Sequence, residues 1–320
     1  MFLPGQFDAN LPDGRCMSRC EISEDSDQIA TRVAQKLRDA KFSCQIATFV
    51  PADTAVLRRD RLVVVLAFTL LTALAWGYLL WLSADMAMGG MDMSDFRMIP
   101  SGMDLMVPAR APWQATEFAF VFVMWAVMMI GMMTPSATPM ILMYARVGRH
   151  TAAQRAPFAA TVWFVAGYFL VWLAFALLAT LVQWALERTA LLDAWMASTS
   201  NVLGGVVFLA AGTYQWTRLK DVCLAQCQTP FAFLMRHGGF RSDAPGALML
   251  GLRHGSYCVG CCWALMALLF AGGIMNMLWI AALALLILLE KVTPFGRRIA
   301  SLAGMGFITA GAWLFSIGMH

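Results

Sequence analysis

The 320-residue chain is 60% hydrophobic and only 13% charged, against roughly a quarter charged in soluble domains; this excludes an ordinary water-soluble globular fold and points to a membrane protein. Its formal net charge of +4 follows from the placement of the basic loops described below and calls for no nucleic-acid partner. No GxxxxGK[ST] phosphate loop occurs, so ATP-driven pumping by this polypeptide alone is not expected.

Residues 1–57 are polar and mixed in charge, with "EISEDSDQ" followed by a weakly amphipathic "IATRVAQKLRDA", which predicts a cytoplasmic extension holding one short helix. The first long apolar run begins only at residue 62 and is long enough to span, so a cleavable signal peptide is not expected. Cys16 and Cys20 form a CxxxC pair without a second half, a pattern that is more often incidental than metal-binding.

A membrane span needs about 20 mostly apolar residues. Runs of this kind fall at about 61–83, 117–143, 158–184, 201–217, 247–271, 274–290 and 298–318, which predicts an all-α, polytopic bundle of about seven transmembrane helices over residues 58–320. Basic residues set its orientation, because Lys- and Arg-rich loops stay cytoplasmic. Arg58, Arg59 and Arg61 precede span one, and Arg146, Arg149 and Arg155 separate spans two and three. Arg218, Lys220, Arg236 and Arg241 follow span four, and Lys291, Arg297 and Arg298 follow span six. The alternate loops are poor in them. A multi-pass protein of the bacterial inner membrane with its N-terminus inside and its C-terminus outside satisfies every loop.

Between spans one and two, the outer loop 84–115 contains "DMAMGGMDMSDFRMIPSGMDLM", with Met86, Met88, Met91, Met93, Met98, Met103 and Met106. A thioether is a soft, uncharged donor that selects Cu(I), and it survives in an oxidising compartment where a thiol is lost to disulfide. Methionines on adaptable apolar surface are the plainer reading. The copper reading leads because these alternate with Asp85, Asp92 and glycines in a stretch too polar for a core.

Span two continues with "FVMWAVMMIGMMTPSATPM". Met124, Met128 and Met132 recur at i, i+4 and i+8, with Met129 and Met133 as a second row, so thioethers stripe one side of the helix. Such a stripe is usually packing; beside the outer loop it reads as a ladder of weak sites for a monovalent ion. Pro135 and Pro139 are expected to break or kink the helix near its inner end and to free backbone carbonyls.

Past span four, "YQWTRLKDVCLAQCQTP" places Cys223 and Cys227 at i and i+4. Near the inner end of span five, "LRHGSYCVGCCW" places His254, Cys258 and Cys262 at i, i+4 and i+8, with Cys261 three residues after Cys258, so all four point into one sector of a helix. The charge pattern assigns both groups to the reducing cytoplasmic side, where metal binding or redox chemistry is favoured over structural disulfides. Thiolate and imidazole suit Cu(I) or Zn(II), and the lack of a hard-oxygen group argues against Mg and Ca. Free cysteine also serves as a small buried hydrophobe, but five of eight cysteines at two helix ends with a histidine in phase exceed that expectation. His237 is a weaker candidate. Glu290 and Lys291, ending span six, read as anchors that snorkel to the inner interface. Asn276 reads as a helix cap, and Gly204, Gly205, Gly272 and Gly273 as close-packing or turn glycines.

The segments "MWAVMMIGMMTPSATPMILMYARV", "FVAGYFLVW", "AGTYQWTRLKDVCLAQCQTP" and "GLRHGSYCVGCCWALMALLFAGGIMNMLWIAALALLILLEK" together resemble a bacterial family of predicted metal-binding integral membrane proteins, over about residues 57–318. Some relatives are described as copper chaperones supporting a copper-dependent polyphenol oxidase or tyrosinase. The resemblance implies copper handling, with motif positions Met128, Met129, Met132, Met133, Pro135, Tyr214, Gln215, Lys220, Cys223, Cys227, His254, Cys258, Cys261 and Cys262. The family often has His-Trp where this chain has His237-Gly238.

The leading expectation is a copper-binding membrane protein, not an enzyme. It would pass Cu(I), with Zn as a possible competitor, between the outer Met loop and the inner Cys/His cluster, embedded in the lipid bilayer and serving a copper-acceptor protein. One alternative is a thiol–disulfide oxidoreductase in which Cys223/Cys227 and Cys258/Cys261 exchange electrons with a quinone. The other is a membrane scaffold with packing cysteines. No catalytic residue is assigned, and the oligomeric state is left open.

Overall fold

The computed structural model describes residues 54–87, 96–98, 106–108, 113–150, 157–189 and 200–319. The chain divides into Met1–Ala55, of which only Thr54 and Ala55 are described, and Val56–His320, which carries the fold. Cys16, Cys20 and the expected N-terminal helix lie outside the described residues.

Among the described residues, helices α1 (Thr54–Ala87), α2 (Ala115–His150), α3 (Pro157–Arg188), α4 (Asn201–Tyr214), α5 (Arg218–Gln228), α6 (Pro230–Arg236), α7 (Ala244–Ala267), α8 (Leu269–Gly272), α9 (Met277–Val292) and α10 (Gly296–Gly318) follow in order. Strands β1 (Phe96–Met98) and β2 (Met106–Pro108) pair antiparallel between α1 and α2, with Met98 opposite Met106. The fold is a helical bundle, as the composition implies.

Several starts are written locally. Ser200, Thr217, Asp243 and Asn276 cap α4, α5, α7 and α9 by accepting from the backbone N–H three residues on, which satisfies one of the orphan donors of each first turn. Of the expected break or kink at Pro135 and Pro139, the break does not occur, for α2 runs through both. Thr134 and Thr138 donate to the carbonyls of Ile130 and Thr134 at 2.6 and 2.9 Å, while the prolines themselves leave the carbonyls of Gly131 and Pro135 without a helical donor.

Among the described residues, five stretches are long and apolar enough to cross a membrane: Val64–Ala84, Ala115–Gly148, Ala159–Arg188, Ala244–Gly272 and Gly296–Gly318. The remaining two expected spans are shorter. Helix α4 has 14 residues and α9 has 16, about 21 and 24 Å against a hydrocarbon layer of about 30 Å. The outer faces of the long helices are apolar, including Leu66, Leu70 and Leu74 on α1, Leu170 and Leu178 on α3, and Leu302 and Trp313 on α10, a surface better suited to lipid than to water.

Glycines bring the inner helices together. Gly205 and Gly212 of α4 face Gly311 and Gly304 of α10, each where a Cβ would lie 2.8–3.0 Å from the partner's backbone oxygen. Gly205, and not Gly204, is the close-packed member of its pair, since nothing lies within 4 Å of a Cβ at Gly204. Gly273 takes φ of 94° in the turn before α9, a conformation that a side chain disfavours.

At the end of the bundle that holds Trp113, Trp125 donates through Nε1 to Gln183 Oε1 at 2.7 Å. Gln183 in turn donates to Glu187 at 2.9 Å, and Glu187 also accepts from Trp113 at 3.0 Å. Trp125 and Gln183 are fully buried. Gln183→Leu strands the indole N–H and is expected to lower stability by about 1–3 kcal/mol, read as a lower thermal transition of the detergent-solubilised protein.

Candidate functional site

Helix α7 carries the site. Its buried face presents Gly251, His254, Gly255, Cys258, Cys261 and Cys262, the sector that the i, i+4, i+8 spacing requires. The two glycines admit α3. A Cβ at Gly251 would collide with the Phe164 carbonyl, and one at Gly255 would lie 3.2 Å from the Tyr168 carbonyl. This approach sets the Tyr168 hydroxyl 3.2 Å from Cys258 Sγ and 3.4 Å from the Met133 carbonyl.

Helix α5 closes the opposite side. The Cys223 sulfur sits 2.7 Å from where a Cβ of Gly260 would be, and Tyr214 donates to the Gly260 carbonyl at 2.5 Å. The Cys227 thiol interacts with those of Cys258 and Cys261. Cys261 and Cys262 donate to the Cys258 carbonyl at 3.1 and 2.9 Å. All five of these cysteines are free thiols; Cys223, Cys258, Cys261 and Cys262 are buried, and Cys227 is half-buried. The cluster is deeper than the expected helix end. Cys258 lies 14 residues into the stretch Ala244–Gly272, about 21 Å along it and midway down the helix.

A third wall comes from α9, and here the structure corrects the sequence reading. Glu290 and Lys291 do not snorkel; both are buried, at 2% and 5% exposure. Lys291 donates through Nζ to Cys258 Sγ at 2.9 Å and to Ser136 Oγ at 3.4 Å, with Met133 Sδ at 3.9 Å and Cys262 Sγ at 4.0 Å. Glu290 turns the other way and pairs with Lys220 Nζ of α5 at 2.6 Å. Lys220 also donates to Gln215 Oε1, and Gln228 donates to the Glu290 carbonyl at 2.7 Å. Lys291, Tyr168 and Ser136 are the site neighbours that sequence reasoning missed. Two adjacent charges closing an apolar helix were the available signal, because an ionisable residue at such a position is by default a functional one.

His254 is enclosed by the rings of Phe233, Tyr168 and Phe164, with centroids 5.1, 5.8 and 6.0 Å away. Its Nδ1 is buried and has no hydrogen-bond partner. Buried polar atoms are nearly always satisfied, so an orphan beside thiols calls for a ligand or a role. His237, by contrast, contacts the Phe233 carbonyl through Nδ1 at 2.8 Å and stacks near Phe233 and Tyr257; it braces α6.

The methionine stripe of α2 is interior. Met124, Met128, Met129, Met132 and Met133 are all at most 2% exposed, and the lower end of the stripe, Met133, touches the Lys291 ammonium. Of the outer loop, Met86 lies in the last turn of α1, while Met88, Met91, Met93 and Met103 lie outside the described residues.

Among the described residues, no group of three or more His, Cys, Asp and Glu side chains stands ready to hold a metal ion. What is assembled is a sulfur-rich pocket with an ammonium in it and an unsatisfied imidazole nitrogen beside it. Soft donors of this kind fit a soft, low-coordinate cation and not a hard one.

No curated protein and no solved structure matches the chain. The family model PpoB2, described as copper chaperone, matches residues 122–314, from the top of the methionine stripe through α10 and including every cysteine of the cluster. With more than half of its length matched, the chain belongs to the PpoB2 copper chaperone family.

Proposed function

We propose that this protein is a non-enzymatic, multi-pass protein of the bacterial inner membrane that carries Cu(I) between the outer Met-rich loop and the Cys/His cluster and delivers it to an acceptor protein. The observation that supports the reading is the meeting of Cys258 Sγ, Cys262 Sγ and Met133 Sδ around one buried point, all within 4.0 Å of Lys291 Nζ, with the two cysteines on the helix that also carries the unpartnered His254 Nδ1. Met86, Met88, Met91 and Met93 collect the ion in a compartment where thioethers survive. Met124, Met128 and Met132 pass it along α2, spaced about 6 Å apart along the axis, to the thiols, which hold it more strongly. Cys227, the half-buried thiol, offers it to the acceptor, since α5 belongs to the basic segment 218–241 assigned to the cytoplasmic side. The same ligands serve movement in either direction. The polar residues 1–57 form the cytoplasmic extension, and residues 58–320 the membrane domain. Zn(II) shares the thiolate preference and is the competing metal.

Metal analysis of the protein purified from copper-replete cells tests the reading. About one or more copper ions per chain are expected, with loss of most of it in Cys258→Ser/Cys262→Ser, because each exchange replaces a soft donor by a hard one. Deletion of the Met86–Met106 loop is expected to reduce loading in cells; equal copper with and without it would remove the loop from the path. Metal-free protein whose dithiols cycle with a quinone would replace the copper reading with the oxidoreductase one.

A further inference from the structure

The Lys291 ammonium occupies an unusual place. Its neighbours are two thiols of α7 and a thioether and a hydroxyl of α2, at 2.9–4.0 Å. Among the described residues it donates to no carboxylate; Glu290, next to it in sequence, is committed to Lys220. Sulfur atoms and one hydroxyl, and no carboxylate among the described residues, hold this deeply buried ammonium. The pocket thus has the form of a site for a single positive charge among soft donors, with a lysine head in the middle of it.

We propose that the Lys291 ammonium is the place-holder of the copper ion: it occupies the cation position in the metal-free protein, and an arriving Cu(I) displaces it. The inference rests on the copper reading above and adds a residue that governs affinity and selectivity. Two cations cannot share one position, and without the ammonium the donors would face each other around an unfilled centre. Cu(I) binds a thiolate, so its entry leaves the net charge of the pocket unchanged when one thiol gives its proton to water as the ion arrives, the ammonium staying in the protein beside Ser136. A divalent ion adds a further charge beside the retained ammonium, in a low-dielectric interior where the carboxylate of Glu290 is already paired with Lys220, so Lys291 disfavours Zn(II) and Cu(II) relative to Cu(I). The displaced head has somewhere to go. Ser136 already accepts from it, and Pro139, lacking an N–H, leaves the carbonyl of the neighbouring Pro135 without its helical donor.

The test compares wild type with Lys291→Gln and Lys291→Met as full-length proteins in detergent. Cu(I) affinity is measured by competition with a bicinchoninate chelator, and Zn(II) retention by metal analysis after dialysis. Both neutral variants are expected to bind Cu(I) at least about tenfold more tightly and to retain Zn(II) that wild type releases. Unchanged or weaker Cu(I) binding in folded variants overturns the inference, since it makes the ammonium a bystander or a counter-ion of the bound metal. Failure of both variants to fold also overturns it, because a head that copper displaces cannot be required for the fold. Wild type that binds no copper defeats the copper reading itself; wild type that binds copper, beside variants that show no gain, defeats only the role of Lys291.

Discussion

Replacing Lys220 by methionine is expected to lower the stability of the protein by about 3–5 kcal/mol, the usual consequence of removing one partner from a buried ion pair. Lys220 and Glu290 are 1% and 2% exposed and their charged atoms lie 2.6 Å apart. Among the described residues, Glu290 then keeps only Gln215 Nε2, at 3.5 Å, as a side-chain donor. Desolvation of a charge without a counter-ion costs several kcal/mol even after relaxation. The double variant Lys220→Met/Glu290→Leu removes both charges and is expected to recover most of the loss. Thermal unfolding of the two proteins in the same detergent checks this, and equal losses in both would show that packing, and not the pair, explains the single variant. The network also ties α5 to α9 directly behind the thiols, so the single variant is expected to loosen the contact of Cys223 with Gly260.

Gly251→Leu has the other large expected effect. Its Cβ would fall on the Phe164 carbonyl, and a backbone oxygen cannot swing aside as a side chain does. Overpacking of this kind costs about 1–3 kcal/mol and occasionally more; here relief requires α3 and α7 to part. Because the same contact line sets Tyr168 against Cys258, the variant is expected to lose copper along with stability. Gly204→Ala is the control. A Cβ at Gly204 meets nothing within 4 Å, and a helical Gly→Ala exchange on its own favours the folded state by about 0.5–1 kcal/mol. Thermal transitions and copper content of the two variants, measured side by side, separate local helix propensity from the packing of α3 on α7.

The helices themselves were legible because apolar run length and capping residues are local properties. Asn276 marks a start that the sequence alone shows; Ser200, Thr217 and Asp243 cap their helices in the same local way but are apparent only in the structure. The run-length criterion overstated α4 and α9 as full spans, since a window of apolar residues does not register where the backbone turns. Tyr214 to Thr217 turn within what hydropathy reads as one segment. Pro135 and Pro139 do not interrupt α2: each removes a single helical hydrogen bond, to the carbonyls of Gly131 and Pro135, and a long helix continues across such a loss.

In the site, the shared face of His254, Cys258, Cys261 and Cys262 was determined by sequence alone, because residues three and four apart on a helix stand over one another whatever surrounds them. The methionine stripe followed from the same period. Which groups meet that face was decided only by the tertiary structure. Cys227 and Cys258 are brought together by a glycine opposite Cys223, Lys291 arrives from 33 residues away, and Glu290 is drawn to a lysine 70 residues before it. Successive helical residues diverge by about 100°, so adjacent Glu290 and Lys291 had to face different neighbours; only the packing of α5, α7 and α2 around α9 determined that one would meet a counter-charge and the other a pocket of sulfur.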